Sequence, residues 1–525
     1  MRTAFGTVAA GLTALATHDL LQKKHTLLHN YPVVGHLRFL LERIGPELRQ
    51  YIVTSDDEER PFSRDQRAWV YTSSKRLNNA VSFGTDKDIE HLEGYVVFKH
   101  RTFSDVAPPS GVTVESMGKE IGVPAAKVLG GPRGRRHAFR PPSIVNVSAM
   151  SFGSLSGTAV EAMNKGCAIA GAMHNAGEGG ISSHHQHGAD LIMQIGTAYF
   201  GCRDAKGRFD LERLKDVVAA NPVKAIEIKL SQGAKPGLGG LLPAAKISPE
   251  IAEIRGIPMG QDCASPARHA EFDSVDSMLD WVELVADATG LPVGIKSAVG
   301  EQQFWDELAS LMSRKDRGVD FITIDGGEGG TGAAPLLFQD NGALPFRLAF
   351  SRVYKTFALE GGLVDDITFI GGGKLGLPDN AMVAYALGVD MVNVAREAMM
   401  SIGCIQAQKC HTDKCPTGIA TQNQRLASGL DTSLKSVRLA NYVDTLRREL
   451  LKVSEAVGVL HPSLIDADDI EVLLGVRKAT PLSTIYGYQP KWGRIGNHLG
   501  EEISAIMRPT APEHTSVAPS VTAQG

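Results

Sequence analysis

The chain has 525 residues, enough for one large domain with elaborate flanks or for two or three ordinary domains. Its 43% hydrophobic and 21% charged residues are ordinary for a soluble globular protein. A net charge of −4, a pI near 6.5 and the lack of any basic stripe exclude a dedicated nucleic-acid binder. Six cysteines in this length exclude a secreted disulfide framework and fit a reducing, cytoplasmic compartment.

In chain order, residues 1–18 form a short apolar N-terminal segment. Its apolar run is shorter than the ~18–20 residues that cross a bilayer. It is read as a docking helix, with membrane association or a cleaved signal as alternatives. Residues 19–140 are a mixed flanking region without a repeat, and the four arginines within 133–140 read as a solvated loop. Residues 141–425 alternate apolar runs with helical stretches, 426–507 are a helical extension, and 508–525, rich in Pro, Ser, Thr and Ala, read as a disordered tail.

The central region carries the fold signal. Strands are expected at 144–149, 191–195, 225–230, 292–296, 321–325, 368–370 and 391–394, several of them continuous apolar runs suited to burial on both faces. Helices are expected between them at 157–170, 211–220, 275–288, 304–313 and 378–387. This alternation predicts an α/β fold with a parallel sheet. An eighth unit near 173–178 would close it into a (β/α)8 TIM barrel.

Glycines follow the late strands: Gly326, Gly327, Gly329, Gly330 and Gly332 after one, and Gly371, Gly372 and Gly373 after the next. Exposed backbone N–H groups there would bind a phosphate, as loops after strands 7 and 8 of such barrels often do. Neither cluster matches a P-loop or a dinucleotide fingerprint. Cys404, Cys410 and Cys415 bring three thiols within twelve residues, and Pro416 follows the last. The spacing fits iron–sulfur ligation, zinc with His411 as fourth ligand, or merely buried small residues.

The segment from Gly403 and Cys404 through Cys415, Pro416 and Gln422 resembles the three-cysteine motif of glutamate synthases. Four further stretches are similar to that family in the same order: 149–156, 175–180, 229–237 and 326–335. The resemblance implies FMN in the barrel and a [3Fe–4S] cluster on Cys404, Cys410 and Cys415. It places Met150, Ser151 and Gly153 along the flavin, and Lys296 at its N1/O2 edge, where a cation stabilises reduced flavin. Gly329, Gly330, Gly332 and Gly371 to Gly373 would hold the phosphate. Glu178, Lys229, Gln232 and Lys235 match positions around 2-oxoglutarate and its imine. A structural ion pair between Lys229 and Glu178 is the plainer alternative.

The sequence departs from the family pattern in three ways. No cysteine precedes Cys167, so the chain is expected to lack a glutaminase nucleophile and to need ammonia or a separate glutaminase subunit. Leu238 stands where the family has an acid, which bears on the substrate. No nicotinamide module is evident, so ferredoxin or a reductase subunit is expected to supply electrons. The resemblance thus implies reduction of a 2-oxoglutarate imine to glutamate. An N-substituted glutamate synthase and a non-catalytic electron-relay subunit remain as alternatives.

Overall fold

The computed structural model describes residues 2–22, 24, 26–56, 58–77, 79–104, 106, 122–475 and 477–508. The tail expected at 508–525 lies, beyond Arg508, outside the described residues. The chain divides into two compact units, 1–68 and 69–525.

In the first unit the apolar segment is the helix Arg2–Leu21, followed by Thr26–Asn30 and Gly35–Leu48. Asp19 is buried and accepts hydrogen bonds from the Val33 amide and from His36 Nε2, both at 2.9 Å. Among the described residues no helix is long and apolar enough to cross a membrane.

The second unit contains a closed parallel barrel. Its strands are β1 (Val145–Val147), β2 (His174–Asn175), β3 (Leu191–Ile195), β4 (Val223–Lys229), β5 (Val293–Ser297), β6 (Phe321–Asp325), β7 (Thr368–Gly372) and β8 (Met391–Val394). They pair in sequence order, and β8 returns to β1 with Val392 opposite Val145. The TIM barrel is therefore present, and β2 is the unit expected near 173–178. It has only two residues because Gly177 turns the chain immediately afterwards. Only the short 3₁₀ turn Ser183–His185 links β2 to β3, so the barrel has no full helix at that return.

Helix boundaries follow local chemistry. Ser156 Oγ accepts from the Ala159 amide to start Gly157–Ala170, and Gly171 in a left-handed conformation ends it. The expected helix at 304–313 is Gln302–Met312, and Phe346–Leu359, which sequence reading missed, covers β6 and β7. The C-terminal helix Thr432–Ala456 packs on Gly157–Ala170, where a Cβ on Gly166 would strike Leu439. Strand Val96–Phe98 joins Ile470–Leu473 and Ala479–Pro481 in a small antiparallel sheet, so the two flanks meet each other.

The segment after residue 122 floors the barrel. Ala125 and Leu129, with Phe139 beside them, pack against Ile192, Ala225, Phe321, Ile370 and Met391, which lie at the starts or middles of their strands. Of the arginines of 133–140 only Arg136 is exposed; Arg133, Arg135 and Arg140 are tied down rather than solvated. Arg135 pairs with Glu283 at 2.5 Å and Asp320 at 2.9 Å, and Arg140 donates to the carbonyls of Ala125 and Ala126. Lys127 is buried on Asp390 at 2.9 Å and on the carbonyls of Val364 and Ile367.

Inside the barrel Glu227 is fully buried. Its carboxylate accepts from Asn175 Nδ2 at 2.8 Å, Gln194 Nε2 at 2.7 Å and Thr323 Oγ1 at 2.7 Å, which joins β4 to β2, β3 and β6. Glu227→Leu strands these donors in a low-dielectric interior and is expected to cost about 3–5 kcal/mol. Urea denaturation measures it, and an unchanged midpoint would mean that the polar layer repacks.

Candidate active site

Chemistry-bearing residues collect at the C-terminal ends of the strands, where βα loops of a barrel converge. Met150, Ser151 and Gly153 follow β1, Glu178 follows β2, and Lys229 ends β4 with Gln232 and Lys235 just beyond it. Lys296 lies on β5, Asp325 ends β6, and Arg396 follows β8. Glycine lets these loops approach. A Cβ on Gly177, at φ 72°, would come within 2.6 Å of the Ser151 amide nitrogen. A Cβ on Gly233 would overlap the Gly326 carbonyl, so the loops after β4 and β6 touch through backbone.

Lys229 Nζ lies 2.6 Å from Glu178 Oε1, with the two side chains 9% and 20% exposed. Burial alone would raise the Glu178 acid, but Lys229, then Lys235 and Arg255, hold it below the ordinary carboxylate range. Burial and neighbouring Lys229 together pull Lys235 down, partly offset by Glu178. Gln232 is not in this group: its Nε2 donates to the Gly330 carbonyl at 3.3 Å, tying the β4 loop to the glycine loop.

Arg255 is a functional candidate that sequence reading missed, placed by the helix Pro249–Arg255. It is 6% exposed, donates to the Phe152 carbonyl at 3.1 Å and stands 3.4 Å from Ser151 Oγ. Among the described residues its Nε has no hydrogen-bond partner. Three cations therefore surround the single carboxylate of Glu178, an arrangement suited to an anionic guest.

Lys296 Nζ is 3.7 Å from Asp325 Oδ2. Burial would lower its ammonium, but Asp325, Glu227 and Glu178 outweigh burial and raise it, so it stays protonated. Asp325 Oδ2 also accepts from the Gly233 amide at 3.1 Å.

The expected phosphate glycines separate into two groups. Gly371 and Gly372 are the last residues of β7, and a Cβ on Gly371 would strike Leu375 and Phe346, so its missing side chain serves packing. Gly373 lies beyond the strand at φ 118°, against Gly326. Gly332 has open space, with Ser154 Oγ the nearest atom at 3.9 Å, and Gly330 abuts the Arg396 side chain. Arg396, also missed, donates to the Glu328 carbonyl, and burial lowers its guanidinium against the pull of nearby acids. Its position just beyond β8, as the first residue of the short helix Arg396–Ser401, was the available signal.

The cysteine segment is fastened to the loop after β1. Ser156 Oγ donates to the Gly418 carbonyl at 2.7 Å, and Gln422 Nε2 donates to the carbonyls of Gly153 and Leu155 at 3.1 and 2.8 Å. Lys246 Nζ bridges the Ser154 and Cys410 carbonyls. Burial raises the Cys415 thiol, but Thr417 and the amides of Ala420, Thr417 and Ile419 lower it overall and favour the thiolate. Burial and Cys415 raise Cys410. Among the described residues no three His, Cys, Asp or Glu side chains stand close enough to hold a single metal ion.

A family model described as "Conserved region in glutamate synthase" matches residues 136–460. The chain belongs to the glutamate synthase family. The glutamate synthase large subunit-like protein YerD of Bacillus subtilis (strain 168) is 38% identical over 474 residues, covering 85% of this chain and 89% of that protein. The archaeal glutamate synthase [NADPH] of Methanocaldococcus jannaschii is 33% identical over 321 residues, covering 60% of this chain and 59% of that protein. Among solved structures, mandelate oxidase with 3,3-difluoro-2-hydroxy-3-phenylpropionic acid is 14% identical at a TM-score of 0.40, covering 72% of this chain and 87% of that one.

In this glutamate synthase-family chain the Glu178–Lys229 pair has a pH signature. A depressed carboxyl stabilises the fold above its unfolded value of about 4.3, and that contribution is lost as pH falls through the folded value. Lys229→Met removes the counter-charge. The melting-temperature gap between wild type and variant should be widest near neutrality and shrink below about pH 4. A gap constant with pH would show that the lysine contributes packing alone.

Proposed function

We propose that this protein is an FMN-dependent oxidoreductase that reduces the imine of 2-oxoglutarate and ammonia to glutamate. Electrons would come from ferredoxin or a reductase subunit. The observation that supports this best is the meeting, on one barrel face, of a protonated Lys296 with the Lys229, Lys235 and Arg255 cations around Glu178.

The residues fit FMN. Gly332 offers open backbone and Arg396, packed on Gly330, a cation to a phosphate, and Lys296 offers a fixed positive charge to the ring edge. When bound, FMN supplies hydride transfer to the imine carbon. Lys229, Lys235 and Arg255 would hold the two carboxylates and orient that carbon. Glu178, kept ionised by the Lys229 Nζ that donates to its Oε1, would accept a hydrogen bond from the imine N–H and so hold that proton. The fixed cations are preorganised, so little rearrangement accompanies charge change.

Cys404, Cys410 and Cys415 would hold a [3Fe–4S] cluster, which supplies one-electron transfer when bound. Donor chemistry supports this: three thiols lie in one segment, and hydrogen bonds from Thr417 and nearby amides lower the Cys415 thiol below its ordinary value. Leu238, in place of an acid, favours a second reading in which a larger amine replaces ammonia and an N-substituted glutamate results.

The purified protein should be yellow-brown and release FMN on acid denaturation. Cys410→Ser should lose iron and sulfide and keep most FMN, whereas zinc without iron in the parent protein would refute the cluster. Turnover with 2-oxoglutarate, an artificial reductant and either ammonium or an alkylamine separates the two products. Lys235→Met should raise KM for 2-oxoglutarate several-fold with less effect on kcat if it binds ground and transition states alike.

A further inference from the structure

We infer that His269, its tautomer fixed by Tyr199, is a positioning residue that sets Lys229 against the substrate carboxylate; this rests on the dicarboxylate reading of the site. His269 belongs to the chain that runs from strand Cys263–Ala264 to helix Val275–Thr289. Its Nε2 lies 3.0 Å from the carbonyl oxygen of Lys229, the last residue of β4. Its Nδ1 lies 3.2 Å from the Tyr199 hydroxyl.

Hydrogen-bond accounting gives the direction of each contact. The Tyr199 oxygen accepts the amides of Ala270 at 2.9 Å and Glu271 at 3.3 Å. A phenol has two acceptor sites and one proton, so both acceptors are used and the proton goes to His269 Nδ1. Nδ1 is then the acceptor, and Nε2 carries the hydrogen donated to Lys229. The imidazole is 8% exposed, stacks on Phe272 at 4.9 Å and packs near Trp281 at 6.0 Å. Tyr199 occupies the left-handed region at φ 52°, a conformation a bulky residue adopts only when its surroundings impose it.

The consequence lies at the strand end. Beyond Lys229 the chain leaves the sheet, and the amides of Leu230 and Ser231 both turn to the Lys296 carbonyl. His269 supplies a bond to the Lys229 carbonyl from a different segment and so holds the peptide from which the lysine projects. Ser265, earlier in the same segment, flanks Gly240 beside Glu178. The segment thus both walls the pocket and fixes its lysine.

The test uses the holoenzyme with an artificial reductant and three variants. His269→Gln keeps an N–H donor near the Nε2 position without needing Tyr199, His269→Leu removes it, and Tyr199→Phe frees the tautomer. KM for 2-oxoglutarate and its calorimetric binding constant should weaken roughly tenfold in His269→Leu and by a smaller factor in Tyr199→Phe, with kcat and flavin content near wild type. His269→Gln should recover to within about threefold of wild type. A purely structural role predicts equal losses of melting temperature and flavin in the Gln and Leu variants, with no split between KM and kcat, and that result overturns the inference. Should His269→Leu not fold, Tyr199→Phe decides, and unchanged 2-oxoglutarate binding in it overturns the inference. Lys229→Met is the control: if it leaves binding unchanged, the dicarboxylate reading fails, whereas weakening in it alone rejects only the role of His269.

Discussion

A carboxylate sealed inside a barrel has to be satisfied by its walls, and Glu227 imposes that condition here. It draws one donor each from β2, β3 and β6, so four strands share a single polar knot beneath the mouth. Its negative charge also helps keep Lys296 protonated despite burial. The mouth above therefore rests on a layer whose members cannot shift independently, because any displaced donor would be left without water or partner. Preorganised cations at the strand ends follow from that rigidity.

Two kinds of fastening hold the loops over this layer. Backbone contacts at glycines, such as Gly233 on Gly326, bring loops together without side chains between them. Side chains reaching across to carbonyls do the rest: Gln232 to Gly330, Gln422 to Gly153 and Leu155, and Lys246 to Ser154 and Cys410. The cysteine segment and the loop after β1 are thereby one structural piece.

Much of the barrel was legible because its strands are runs such as 321–325 and 391–394, buried on both faces and bounded by glycine or charge. The two-residue β2 was legible only as a unit needed near 173–178 to close the barrel, because so short an element has no periodicity of its own. Gly371 and Gly372 were read as loop because glycine usually breaks a strand, yet here they end one, and Phe346 packs where the Gly371 side chain would be. Glu178, Lys229 and Lys235 were legible as a set through the family resemblance, and the structure brings them together. Arg255 and His269 were not, since each lies in a stretch with no pattern of its own and acquires meaning only from what it touches. The arginines near 135 misled for a related reason: sequence shows their charge but not Glu283 and Asp320, which receive it.

The barrel floor bears on how this protein can be divided. Leu129, from before β1, packs against Met391 of β8, so the last strand seals onto a piece of chain made long before it. During synthesis that piece has to wait, unburied, until nearly the whole barrel has emerged, a long-range closure that slows folding. The boundary at residue 141 that looks natural from the strand pattern is thus no place to cut. A gene fragment starting there would encode eight strands around an open apolar hole, and fusion partners or shuffled modules would have to join ahead of residue 122.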